Sequence, residues 1–171
     1  MPIGTKSVLA IILARGGSKR FPGKNLALFN GKPLVLHAVE QAAGSAYIDR
    51  IIVSSDSDEI LDRVPAHTRL KRPDSLSTDT ATSESAVLHA LVAHPGYDYF
   101  VLLQPTSPLR STSDIEQTIR YASTYPAGKS CTVTDGTTTP NGAVYACRTS
   151  LFLASPTTPL SKYAHPSPIP A

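Results

Sequence analysis

Four side chains able to bind phosphate, Arg15, Ser18, Lys19 and Lys24, fall in the stretch Ala14-Arg15-Gly16-Gly17-Ser18-Lys19-Arg20-Phe21-Pro22-Gly23-Lys24-Asn25. Its glycines and proline make it a loop. Glycine lets a backbone approach a ligand, and a serine hydroxyl donates a hydrogen bond. Arginine grips two oxygens at once, while each lysine acts as a point charge. Together they suit a compact polyanion such as a nucleotide triphosphate. Two familiar phosphate loops are excluded by spacing. A Walker A loop needs four residues between its glycines and then Lys followed by Ser or Thr. Here five residues separate Gly17 from Gly23, and Lys24 is followed by Asn25. The dinucleotide fingerprint G-x-G-x-x-G is absent, which disfavours a dehydrogenase. A merely solvated basic loop is the competing reading, and the clustering at the end of a strand argues against it.

The charge pattern points the same way. Of 16 basic and 13 acidic residues, six basic and no acidic ones lie in residues 1–39. Nucleic-acid binding usually spreads basic residues along a face and interleaves aromatics; here they gather around glycines.

The elements that must position this loop are legible from hydropathy. Val8-Leu9-Ala10-Ile11-Ile12-Leu13 is continuously apolar, as a buried parallel strand should be. A helix is predicted from Pro33 to Gly44, and a second buried strand at Ile51–Ser55. Asp56, Asp58 and Glu59 then open a short helix, where negative charge favours the N-terminal end. A short edge strand is expected within His67–Leu70, a helix over Asp79–His94 and a strand at Tyr99–Leu103. A further helix begins at Ser113 and Asp114, and strand-like segments come after it at Ser130–Thr134 and Gly142–Cys147. This alternation predicts an α/β fold: three layers, α/β/α, around an open, mostly parallel, Rossmann-like sheet. Ligands of such sheets bind beyond the carboxyl ends of the strands, where the Arg15, Asp56 and Gln104 loops lie.

With 171 residues, 41% of them hydrophobic, and a net charge of +3, the chain suits one folded domain and not a disordered one. We assign it to residues 1–153. Residues 154–171 form a proline-rich tail, with five prolines from Pro156 onward, expected to be extended and mobile or ordered only by a partner. No apolar run is long enough to span a membrane, and Val8–Ala14 runs directly into Arg15 rather than into small residues, so a cytoplasmic protein is expected. Cys131 and Cys147 are expected to be buried free thiols.

Leu13-Ala14-Arg15-Gly16-Gly17-Ser18-Lys19 with Lys24-Asn25 resembles the nucleotide-binding signature of the acylneuraminate cytidylyltransferases, the CMP-sialic acid synthetases. The resemblance continues through Arg50–Asp56, Arg72-Pro73 with Asp79 and Ser83, Leu103-Gln104-Pro105-Thr106-Ser107-Pro108-Leu109-Arg110, and Asn141-Gly142-Ala143-Val144-Tyr145. It covers most of residues 8–153 and implies a nucleotidyltransferase sheet. It also implies a reaction in which the anomeric hydroxyl of a 2-keto sugar acid attacks the α-phosphorus of CTP and pyrophosphate leaves, yielding a CMP-sugar of the kind built into cell-surface polysaccharide. By resemblance, Arg15, Ser18, Lys19 and Lys24 hold the triphosphate, with Arg15 and Lys24 catalytic and Lys24 closest to the transferring phosphorus, and Leu13, Ala14, Gly16 and Gly17 also belong to the nucleotide-binding residues. Asn25 and Arg72 are nucleotide contacts, and Ser83 supports the cytosine and ribose. Gln104 meets the sugar acid, with Thr106 and Ser107 nearby.

Two departures from the family's pattern qualify this. Only Asp135-Gly136-Thr137-Thr138-Thr139-Pro140 stands where the family carries a long segment that supplies much of its dimer arm and an arginine important for activity. Any homodimer is therefore expected to be weaker than is typical. The family's aspartate-rich magnesium motif is also absent, since Asp135 is the only carboxylate side chain after Glu116. Mg2+ is then expected to arrive with CTP, with Asp135 and Asp56 as candidate protein ligands. Asp56 could equally be a helix cap. The alternatives are a CTP-binding remnant with little catalysis and a nucleotidyltransferase of the same fold using another sugar.

Overall fold

A computed structural model of the chain describes the backbone of residues 4–125, 127–134, 137–163 and 165–169, and the side chains of 4–125, 143–160 and 162. The strands and helices in chain order are β1 (Val8–Leu13), β2 (Leu28–Phe29), β3 (Lys32–Pro33), α1 (Leu34–Ala43), β4 (Arg50–Ser55), α2 (Asp58–Asp62), β5 (Arg69–Lys71), α3 (Ser83–Ala93), β6 (Tyr99–Leu103), α4 (Thr112–Thr124), β7 (Ala127–Thr134), β8 (Thr137–Arg148), α5 (Thr149–Ala154), α6 (Leu160–Tyr163) and β9 (His165–Ile169).

β1 lies inside a seven-stranded sheet of order β5-β4-β1-β6-β8-β7-β9. It pairs in parallel with β4 on one side and β6 on the other. β5 extends the parallel set beyond β4. β8 runs antiparallel to both β6 and β7, so the sheet is mixed but mostly parallel. The continuous apolar run of β1 is explained by burial on both faces. Val8, Ala10 and Ile12 face a cluster with Val35 and Ala38 of α1 and Ile115 and Ile119 of α4. Leu9 and Ile11 face Val87, Ala90 and Leu91 of α3 and Phe152 of α5, where Phe152 meets Phe100 edge-on at 5.2 Å. These two cores make the three layers.

Capping chemistry sets the helix starts, and it moves two of them from where hydropathy put them. Asp79 lies outside α3, which is capped by the Thr82 hydroxyl accepting from the Ser85 N–H. α4 begins ahead of Ser113–Asp114, because Ser111 and Asp114 form a reciprocal capping box. At α2 the cap is Ser57 and not Asp56. The last two expected strands prove longer and form an antiparallel pair, with residues 137–140 belonging to β8 rather than to a connecting loop. Asn30 and Gly31, both at positive φ, turn a small β2–β3 hairpin that the hydropathy pattern did not reveal.

The proline-rich tail departs from its expected form. Leu160 is 6% exposed within the α3-side core, and its N–H donates to Glu84 Oε1 at 3.1 Å. Packing therefore continues past residue 153. β9, with Pro166 and Pro168, pairs in parallel with β7 at the sheet edge, where a strand tolerates proline. Among the described residues no helix is long and apolar enough to cross a membrane.

Candidate nucleotide-binding site

The four parallel strands β5, β4, β1 and β6 end on the same side of the sheet, and the connections leaving β1, β5 and β6 enclose a cleft of about 290 Å³. Leu13, Arg15, Lys24 and Asn25 come from the end of β1 and the connection after it, Arg72 from the one after β5, and Gln104, Pro105 and Thr106 from the one after β6. Thr78, Asp79, Thr82 and Ser83 close it from the approach to α3.

Two glycines of the loop have distinct structural causes. A Cβ on Gly16 would stand 2.8 Å from Ser57 Cβ, so only glycine lets the loop pass the start of α2. Gly23 adopts φ +69°, a conformation L side chains rarely take, before the helical turn Lys24–Leu26. Around Gly17, by contrast, nothing lies within 4 Å of the Cβ position. Two further groups fix the loop from beneath. Asp56 Oδ1 accepts from the Gly16 N–H at 2.9 Å. Asn25, 3% exposed, donates its amide to the Arg15 carbonyl at 2.9 Å. Both thus hold backbone, and Asn25 also lines the cleft.

Arg72 is 5% exposed, and its backbone N–H donates to the Ser55 carbonyl at 2.8 Å. Burial pulls its guanidinium below the usual range, Asp56 partly restores it, and Arg15 lowers it further. Its Nε is buried with no hydrogen-bond partner among the described residues. A buried, incompletely satisfied cation on a cleft wall is a demand for an acceptor.

The outer cations are already engaged. Arg15 Nη1 lies 3.0 Å from Asp79 Oδ1 and donates to the Thr78 carbonyl at 3.2 Å; Lys19 Nζ lies 2.9 Å from Asp79 Oδ2. The Lys19 hydrogen bond, foremost, holds the Asp79 carboxyl below its ordinary value, and Asp79 in turn raises Lys19. Lys24 is half-buried, and its ammonium has no ion pair among the described residues. Asp79 is the residue whose part in the site spacing alone did not reveal: it lies more than 50 residues from the loop it clasps.

Eight of the residues singled out in the sequence line the cleft: Leu13, Arg15, Lys24, Asn25, Arg72, Ser83, Gln104 and Thr106. Others do not. Ala14 is buried, its N–H donating to the Ser54 carbonyl; Ser18 Oγ accepts from the Phe21 N–H; the Ser107 N–H donates to the Gln104 carbonyl. Gly16, Gly17 and Lys19 are not among the lining residues either. Asp135 lies outside the described residues, as does the Cys131 side chain. Cys147 is a buried free thiol, its pKa pushed by burial to about 12. Among the described residues no three histidine, cysteine or carboxylate side chains gather as a metal centre.

A mostly parallel α/β/α sheet with a cationic cleft beyond the carboxyl ends of its strands is the architecture of a nucleotide-binding α/β protein. The chain belongs to the cytidylyltransferase family, whose sequence model matches residues 9–163. It is 41% identical over 122 residues to the CMP-N,N'-diacetyllegionaminic acid synthase of Legionella pneumophila, the match covering 67% of this chain and 51% of that protein. It is 38% identical over 120 residues to the N-acylneuraminate cytidylyltransferase of Escherichia coli O18:K1:H7, covering 68% and 28%. The chain thus spans about half the length of these relatives, or less. Among solved structures it is similar in fold to a CMP:2-keto-3-deoxy-manno-octonic acid synthetase complexed with CTP, with a TM-score of 0.77 over 97% of this chain and 91% of that one, at 17% identity.

Proposed function

We propose that this chain binds CTP in the cleft and transfers its cytidylyl group to a hydroxyl of an acidic 2-keto sugar, releasing pyrophosphate. The observation that carries this reading is the convergence of Arg15, Lys24 and the incompletely satisfied Arg72 on one cleft, flanked across β1 by Gln104 and Thr106. In such transfer the protein's part is positioning and neutralising charge. Arg15 and Lys19 hold the outer phosphates with Ser18, and Lys24 faces the phosphorus under attack. Arg72 and Ser83 face the base and ribose, while Gln104 and Thr106 form the sugar side, with Ser107 nearby. The two curated relatives described above are named for N,N'-diacetyllegionaminic and N-acylneuraminic acids, which supports a sugar acid of the sialic type as acceptor.

Magnesium enters this proposal as the counter-ion of the triphosphate. No described cluster forms a cage for it, Asp56 is committed to the Gly16 N–H, and no step is assigned to it. The test is pyrophosphate release from each of CTP, UTP, ATP and GTP, with N-acetylneuraminic, legionaminic and pseudaminic acids as acceptors. Release with CTP and one of these acids, and not with the other nucleotides, is the expected result. A base-reading site leaves its own polar groups unpaired against the wrong base, so equal turnover of all four nucleotides refutes the assignment.

A further inference from the structure

Arg110 is a charged side chain in an unexpected place. It is 6% exposed, and no carboxylate lies within ion-pair distance of it among the described residues. Burial lowers its pKa to about 10, with Asp114 only partly opposing the shift. Its guanidinium is nonetheless well supplied with neutral acceptors from three elements. Nε and Nη2 both donate to Gln41 Oε1 on α1, at 3.1 and 2.9 Å. Nη1 donates to the Gln104 carbonyl at 3.1 Å and the Ala143 carbonyl at 2.6 Å. Gln41 is itself fixed, its amide donating to the Pro108 carbonyl at 2.9 Å and its carbonyl accepting from Thr112 Oγ1 at 2.9 Å.

The place of the two Nη1 bonds matters. The last ladder pair between β6 and β8 is Leu103 with Val144. Gln104 and Ala143 are the next residues on each strand, so the guanidinium bridges the carbonyls where the two strands part. Gln104 leaves the sheet at that point and enters the cleft with Pro105 and Thr106. Arg110 lies behind it and does not line the cleft.

We infer that Arg110, oriented by Gln41, is the positioning residue for the acceptor half of the site: it clamps the Gln104 backbone at the β6–β8 fork and thereby fixes the wall that meets the sugar acid. The inference that this wall meets the sugar rests on the function proposed above; the clamp itself does not. A planar fork with five donors can join acceptors on three elements, which a lysine ammonium on a flexible stem cannot reproduce. Burying a cation among neutral oxygens costs stability that a hydrophobic side chain would not, so the residue is poorly explained as core filling.

The test uses Arg110→Met, Arg110→Lys and, independently, Gln41→Leu. Hydrogen exchange reads the clamp without any substrate. The Ser107 amide, bonded to the Gln104 carbonyl at 3.3 Å, should exchange at least tenfold faster in all three variants, most in Arg110→Met and less in Arg110→Lys. Amides of β1 should keep their protection. Equal acceleration at Ser107 and in β1 means global destabilisation and overturns the inference, as does an unchanged Ser107 amide. Kinetics then reads the acceptor half, with CTP and N-acetylneuraminic acid as probes. KM for the sugar acid should rise at least tenfold while KM for CTP changes less than twofold; equal shifts in both overturn the assignment to the acceptor half. Should the unaltered protein transfer cytidylyl to none of the acids, the proposed function fails, while exchange still decides the clamp.

Discussion

Gly16→Ala is the substitution for which the structure gives the most definite consequence. An alanine Cβ would stand 2.8 Å from Ser57 Cβ, 3.4 Å from its Oγ and 3.8 Å from Asp56 Oδ2. Carbon atoms in contact prefer about 3.5–4.0 Å, so the pair is short by roughly 1 Å. Ser57 Cβ cannot swing aside, because it is attached directly to the backbone that caps α2. The loop must lift instead, stretching the Gly16–Asp56 hydrogen bond now at 2.9 Å. Overpacking of this kind costs about 1–3 kcal/mol. Taking ~2 kcal/mol, a domain of this size loses about 4–8 °C in Tm. Gly17→Ala is the control: nothing lies within 4 Å of its Cβ position, and its φ is not positive. Its effect should lie between none and ~1 kcal/mol of stabilisation. Ser57→Gly removes the obstructing atom and, as a cap replacement, costs only a few tenths of a kcal/mol. The double variant Gly16→Ala/Ser57→Gly should therefore recover most of the loss, with a coupling of ~1 kcal/mol or more in urea denaturation. If Gly16→Ala is no less stable than Gly17→Ala, or if Ser57→Gly fails to rescue it, the packing argument is wrong.

Lys24→Ala should lower turnover by about 10²–10³-fold, as removal of a group stabilising transition-state charge does, while stability stays within ~0.5 kcal/mol; near-normal pyrophosphate release would remove Lys24 from the chemistry. Asp79→Asn should free Arg15 and Lys19 for phosphate and lower KM for CTP about 2–5-fold at low salt, an effect that fades as salt rises. Because the Asp79 carboxyl is held below its ordinary value and Lys19 above its own, the bridge is complete at neutral pH. It is lost only as pH falls through the depressed value or rises through the raised one, so the advantage of Asp79→Asn should be flat from about pH 6 to pH 8; a slope there contradicts the clasp. In a Cys131→Ser background, Cys147 should resist thiol reagents near pH 8 in the folded protein and react on unfolding, since burial keeps it protonated.

Much of the fold could be read from β1, whose unbroken apolar run required burial on both faces, and from the alternation of such runs with helical patterns. What escaped was governed by local chemistry. The Asn30-Gly31 hairpin carried its signal in two residues rather than in periodicity, and the start of α4 lay in the Ser111–Asp114 capping box, two residues ahead of the expected Ser113. The direction of β8 was not legible, because an antiparallel strand and a parallel one share the same pattern when both faces are covered. At the cleft, the loop from Arg15 to Lys24 was legible as a cluster because its cations and glycines adjoin in sequence. Asp79 and Arg110 stood out only within the resemblance, and the parts they play were not legible, for opposite reasons: Asp79 meets the loop only through the fold, and Arg110 is a charged residue that hydropathy assigns to the surface.

The central position of β1 has a consequence for the birth of the chain. Its two hydrogen-bonding edges are completed by strands that come much later: Leu9 is in register with Arg50 on one side and with Phe100 on the other. At ~5–20 residues per second, the second edge waits roughly 5–20 s for its partner during synthesis. Throughout that interval a flat, apolar strand stands open, the kind of segment through which nascent chains stick to one another. Immediately after it the ribosome adds Arg15, Lys19, Arg20 and Lys24, with no acidic side chain before Glu40. Two nascent chains meeting at this strand would bring like charges together, as gatekeeper residues do. The cations suited to a nucleotide in the finished protein are also placed to protect the unfinished one.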